Sequence, residues 1–157
     1  MIAALLLAGL LGVVAPPPAA EPVPTPQHLP NVTLAAPAAP LTVQVAATPA
    51  QRERGLMGVT ALAPRSGMLF VFPMESTWEF WMKDTPLDLD MVWLRRSGTV
   101  SSVAARVPHA APRTPDERIA RRQGYGAYVI ELSAGEAARD GLAPGARVGG
   151  LPPLAEH

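Results

Sequence analysis

Apolar and polar positions change period several times along the chain, and each change marks an element. Residues 2–15, IAALLLAGLLGVVA, are apolar without a break or a charge. The run is shorter than the roughly 20 residues of a spanning helix and leads into small residues and proline, which predicts a signal peptide ending at residue 15, or as late as residue 20. Residues 16–40 are dense in Pro and Ala with no periodicity, an extended tether by composition. Period two begins at Leu41, where Leu41, Val43 and Val45 alternate with Thr42 and Gln44 in a half-buried strand. Thr48, Pro49 and Gln51 then form a capping box with proline in the first turn, and Gly55 or Gly58 ends the short helix.

Residues 67–72 are almost wholly apolar, a strand covered on both faces and stopped by Pro73. Residues 78–83 alternate Trp78, Phe80 and Met82 against Glu79, Trp81 and Lys83. Strands over 89–94 and 99–107 follow, joined by a turn at Ser97 and Gly98. The pattern breaks over 108–124, which carries Arg113, Arg118, Arg121 and Arg122, and Thr114 with Pro115 starts a short helix reaching Gln123. Residues 125–132 return to strand, Ser133 and Glu136 read as a second capping box, and Gly141 stops the helix. Pro144 and Gly145 turn the chain into a final short strand at 146–148, after which the tail 151–157 is expected to fray. Strands this close together are expected to pair antiparallel. The expected fold class is α+β, mostly antiparallel β: one compact domain over 41–150, β-barrel-like or a curved sheet, with two or three short helices.

Composition narrows the chemistry. Lys plus Arg and Asp plus Glu are 13 each, so no net charge draws the chain to nucleic acid or to an anionic membrane surface. Membrane attachment is expected only through an uncleaved N-terminal segment. The chain has no cysteine, which removes disulfides, thiol nucleophiles and cysteine metal sites. There is no G-x-S-x-G, phosphate-loop or H-E-x-x-H motif, and His28, His109 and His157 fall in tether, loop and tail. No cofactor and no metal are predicted.

Candidate chemistry gathers in residues 67–94, which hold every Trp and Phe of the chain and its single lysine, Lys83. Aromatic side chains dominate burial, so the core is expected here, with Trp81, Lys83, Asp84, Thr85, Asp88 and Asp90 as polar or amphipathic candidates within it. Asp88 and Asp90 are two apart and share a strand face, with Asp84 just upstream. Carboxylates gathered in this way need a cation or donors between them, either Lys83 or a divalent ion. Pairing of Asp90 with backbone amides or with Arg54 ranks ahead of catalysis. Arg54 itself, with Arg52 and Glu53, reads first as a solvated helix face.

Five ordered motifs carry a resemblance: E-R-G-L-M-G at 53–58, G-M-L-F-V-F-P at 67–73, F-W-M-K-D-T at 80–85, L-D-M at 89–91 and Y-V-I-E-L-S-A-G-E-A-A-R-D-G-L from Tyr125. Together they resemble the bacterial and archaeal family called domain of unknown function 192 over about residues 41–148. The resemblance implies a small, often exported, β-rich domain with short helices, and no established reaction. Relatives usually carry Asn at position 84, Pro at position 88 and N-A-x-P after Val107, where this chain has Asp84, Asp88 and P-H-A-A-P. Three readings of function stand in order. The first is a noncatalytic periplasmic or secreted module binding a small polar ligand at Trp81, Lys83, Asp84, Thr85, Asp88, Asp90 and Arg54. The second is a structural envelope protein acting through a protein partner. The third is a hydrolase or lyase with Asp90 or Asp88 as base and Lys83 as electrostatic stabiliser.

Overall fold

The structure is a computed structural model that describes Pro22, residues 24–111 and residues 114–155. The expected signal peptide lies outside the described residues. Six strands form one mixed sheet: β1 (Asn31–Leu34), β2 (Leu41–Ala46), β3 (Ser66–Trp81), β4 (Leu89–Leu94), β5 (Val100–Val107) and β6 (Arg121–Ser133). Two short helices, α1 (Pro49–Arg54) and α2 (Glu136–Arg139), and one 3-10 turn at Asp116–Arg118 complete it. The sheet order is β1-β2-β3-β6-β4-β5. The mostly β reading therefore holds, but the sheet is open, with β1 and β5 as edges rather than a closed barrel.

Local chemistry explains the first half. Thr48 Oγ1 accepts from the Gln51 amide at 3.3 Å and Gln51 Oε1 accepts from the Thr48 amide at 3.0 Å, so α1 starts on the expected capping box. Gly55 ends it at φ 47°, and a Cβ there would meet the Phe70 ring at 3.3 Å. Because α1 carries the chain over the sheet, β2 and β3 pair parallel, the one parallel pair among the described strands of a sheet that is otherwise antiparallel, as the mostly antiparallel expectation has it.

The expected tether does not run to residue 40. Residues 31–34 pair antiparallel with β2 and bury Leu34 completely, since β2 otherwise presents an open edge. Upstream, the Gln27 side-chain amide donates to the Gln51 and Gly55 carbonyls at 2.9 and 3.0 Å, satisfying the end of α1. The expected frayed tail is also packed as far as residue 155: the Tyr128 hydroxyl donates to the Pro152 carbonyl at 2.7 Å, and Leu154 rests on the core.

Pro73 does not stop its strand. The β3–β6 register shifts between Val71 and Ser76, a bulge in which a residue without an N–H costs no ladder bond. Past the bulge, residues 76–81 pair with Arg121–Gly126, so the stretch expected as a helix to Gln123 is instead the first half of β6, preceded only by the 3-10 turn. Gly124 is required there, because a Cβ would lie 2.4 Å from the Trp93 ring. The second capping box fails as well: Gly135 precedes α2 at φ 91°, and Glu136 is buried. Its carboxylate instead holds Arg139 at 2.8 Å and accepts from the Arg65 amide at 3.1 Å.

Alternation divides the core between the two faces of the sheet. Leu69, Val71, Val92, Leu94, Ile130 and Leu132 pack on one face with Leu34, Val43 and Leu142. Met68, Phe70, Met91, Trp93 and Val129 pack on the other with Leu56, Met82 and Ile119. On β6 the second face continues through Val129 to position 131, which is a glutamate.

Candidate ligand-binding cleft

A cleft opens on the second face, between α1 with the loop to Met57 and the far half of β3. The bulge in β3 folds Phe72 against Trp78, with ring centroids 4.0 Å apart and planes inclined 14°. Phe80 meets Phe70 edge to face at 4.8 Å. Such pairs add about 0.5–1.5 kcal/mol each beyond area burial and hold the wall rigid. The deep hollow encloses about 220 Å³, its apolar lining led by Leu56, Phe70, Phe72, Trp78 and Phe80. It shares Arg54, Trp81 and Lys83 with a shallower outer hollow of about 480 Å³.

Of the charged residues that line the deep hollow, Arg52, Glu53, Arg54, Glu79, Lys83 and Glu131, the buried one is Glu131, at 5% exposed. By register it lies between Met68 of β3 and Met91 of β4, and among the described residues its carboxyl forms no hydrogen bond or ion pair. Burial without a partner penalises the charged form and raises its pKa from 4.5 to about 8. At neutral pH it is a carboxylic acid, able to donate as well as accept. Sequence reasoning did not single it out. Its signal was one carboxylate inside the apolar run Y-V-I-E-L, at an inward position of a strand that sits in the centre of the sheet.

The cations at the mouth are held by their head groups. Arg52 donates to the Val71 carbonyl at 2.9 Å and to the Ala47 carbonyl, lies 5.1 Å from the Phe72 ring centroid, and is pulled below its usual pKa by burial. Arg54 donates to the Thr25 carbonyl. Lys83 Nζ lies 4.9 Å from the Trp81 ring and 3.5 Å from an Asp116 carboxylate oxygen, and Arg121 also lies 4.9 Å from Trp81 while pairing with Glu79 at 3.1 Å. Asp84 sits at φ 49°, where Asn and Asp are tolerated best, and its carbonyl accepts from Gly58 at 2.8 Å, tying the Lys83 loop to the end of α1. That geometry accounts for an Asn or Asp at this position.

Of the sequence candidates, Arg54, Trp81, Lys83, Asp84 and Thr85 come together at the cleft. Thr85 is buried, and its hydroxyl is spent on the Lys83 carbonyl at 3.0 Å. Asp88 and Asp90 do not join them. Asp90 is completely buried: Oδ1 accepts from the Arg106 amide at 2.8 Å, and Oδ2 accepts from Gly135 at 2.8 Å and Ala137 at 2.9 Å. It thus caps α2 from the neighbouring strand, so it pairs with amides rather than with Arg54 and does not line the cleft. Asp88 is exposed and holds the His109 amide at 2.8 Å and its ring Nδ1 at 2.6 Å. The amide bond first, then the imidazole, keep its carboxyl below the usual range. A base at either position is therefore set aside. Among the described residues no three His, Cys, Asp or Glu side chains gather as a metal site.

The profile of the domain of unknown function 192 family, described as an uncharacterised ACR, matches residues 32–150. The chain belongs to this family. Its match begins within a residue of β1, in keeping with the earlier domain start seen in the fold. Two crystal structures share the family fold. One, from Sinorhizobium meliloti 1021 and provisionally named a transcription regulator, is 38% identical over 76% of this chain and 92% of its own, with a TM-score of 0.62. The other, a protein of unknown function from Novosphingobium aromaticivorans DSM 12444, is 28% identical over 86% of this chain and 94% of its own, also with a TM-score of 0.62. No curated protein matches.

Proposed function

We propose that this chain is a noncatalytic ligand-binding or accessory module of the cell envelope, periplasmic or secreted, which takes a small polar ligand with an apolar body into the cleft. The observation that carries this reading is Glu131, a buried carboxyl that makes no hydrogen bond or ion pair among the described residues and lines a hollow rich in aromatic rings. A buried polar group of this kind costs stability unless something satisfies it, and a ligand is what the hollow admits. Envelope location rests on the apolar run 2–15 and the Pro- and Ala-rich stretch that follows. The regulator name of the Sinorhizobium relative suggests another role, but the equal balance of 13 basic and 13 acidic residues supplies no net attraction to phosphates.

The test is a thermal-shift screen of the full chain against sugars, muropeptides, amino acids and small anions, repeated with Glu131→Leu. A true ligand raises stability by RT ln(1 + [L]/Kd), about 2.7 kcal/mol at a hundredfold excess over Kd. A shift that vanishes in the variant supports the cleft. A panel without any shift contradicts it. Location is tested by fractionation, where recovery in the cytoplasm contradicts an envelope module.

The same carboxyl favours a second reading, an enzyme using Glu131 as general acid, because a pKa near 8 suits proton donation at neutral pH. Turnover of glycosides or esters that is lost in Glu131→Gln marks that case.

A further inference from the structure

The charges at the mouth narrow the class of ligand, on the reading that the cleft is a binding site. The outer hollow is lined by Glu53, Arg54, Lys83 and Asp84, two charges of each sign. Among the described residues neither Glu53 nor Asp84 is in an ion pair, and the Lys83 pair with Asp116 is long and half exposed. A purely anionic head meets two carboxylates here, and a purely cationic head meets an ammonium and a guanidinium. A head bearing both signs meets a partner for each. The adjoining deep hollow is lined by Trp81, the rings of Phe72, Trp78 and Phe80, the charged Arg52 and Glu79, and Glu131. A cavity of about 150 Å³ accepts benzene, so the deep hollow of about 220 Å³ takes one substituted ring. On its wall the Glu131 carboxyl offers a hydrogen bond to an oxygen on that ring.

We propose that the ligand is a zwitterionic α-amino acid with a ring side chain ending in an oxygen, its head between Glu53 and Asp84 on one side and Arg54 and Lys83 on the other, its oxygen at Glu131. The hydroxyl of such a ring pairs with either form of the carboxyl, accepting from the acid or donating to the carboxylate. The ammonium and the carboxylate each contribute separately to affinity.

Calorimetric titration of the full chain with four probes tests this: tyrosine, phenylalanine, which lacks the oxygen, tyramine, which lacks the carboxylate, and 3-(4-hydroxyphenyl)propionate, which lacks the ammonium. Tyrosine is expected to bind at least tenfold more tightly than each of the others. In Glu131→Leu the order of tyrosine and phenylalanine should invert, and Lys83→Met should bring tyrosine and tyramine within threefold. Either one-charge probe binding as tightly as tyrosine overturns the zwitterion and leaves the cleft reading standing. Equal tyrosine affinity in wild type and Glu131→Leu overturns both. No heat from any of the four overturns the amino acid, while the broader screen decides the cleft by itself.

Discussion

Two carboxyl groups are buried on adjacent strands of one sheet, and they are treated in opposite ways. Asp90 on β4 is fully buried and accepts three backbone amides, while Glu131 on β6 is 5% exposed and none of the described donors reaches it. The first is structural. A carboxylate so placed satisfies the start of α2 and the bulge at Arg106, whose φ of 51° turns its amide inward. The second opens into a hollow, where a ligand group or solvent can meet its hydrogen-bonding capacity. Burial alone does not separate the two groups. What separates them is where the donors are.

The largest expected effect breaks the structural half of this contrast. Asp90→Ala leaves three amides without their acceptor and should lower stability to urea by on the order of 4 kcal/mol, with a melting temperature lower by roughly 10 °C or more. A loss under about 1 kcal/mol means that water replaces the carboxylate, and the contrast fails on that side.

The next tests the other half. Unfolded Glu131 loses its proton near 4.5 and folded Glu131 near 8, so between these values the folded state binds more protons. The resulting stability is fully present below pH 4.5 and is lost as pH rises through 8. Glu131→Gln should remove this slope and gain on the order of 2 kcal/mol at pH 8, the relief being reduced by the cost of a buried amide. Urea midpoints of both proteins at pH 5 and pH 8 measure it, and parallel slopes contradict it.

Smaller effects are expected at the mouth and beyond. Lys83→Met should change stability by under about 0.5 kcal/mol, since its ion pair is largely solvated, yet weaken any cleft ligand that carries a negative charge. Asp88→Asn should be the mildest. The exposed carboxyl has a depressed pKa, so its contribution is present above the unfolded value near 3.8 and disappears as pH falls through the folded one. Thermal melts should differ by about 1 °C or less at pH 7 and coincide at pH 2.

Much of the fold was legible because local chemistry decides it. The α1 cap, the β4–β5 hairpin and the period-two strands need only neighbours in sequence. What sequence missed depends on distant partners. Residues 121–123 form strand because the far half of β3 needs a ladder, and Pro73 passes because β6 shifts register opposite it. The gathering of rings and charges around Lys83 was legible, and the residues do line one cleft. Asp90 was legible as a partner of backbone amides, but which amides, and the hollow beside Glu131, were not, because they come from residues far away in the chain. A strand whose inward face runs Val129 and then glutamate is the pattern that now draws notice.

The central claim is that Glu131 is a neutral acid facing the cleft, and a carbon-13 titration of its side-chain carboxyl by NMR tests it most directly. The account predicts a midpoint near 8, moving when a ligand occupies the hollow. A midpoint near the ordinary glutamate value of about 4.3 contradicts it, because the group is then solvated or paired, and the cleft loses the feature that marks it as a site.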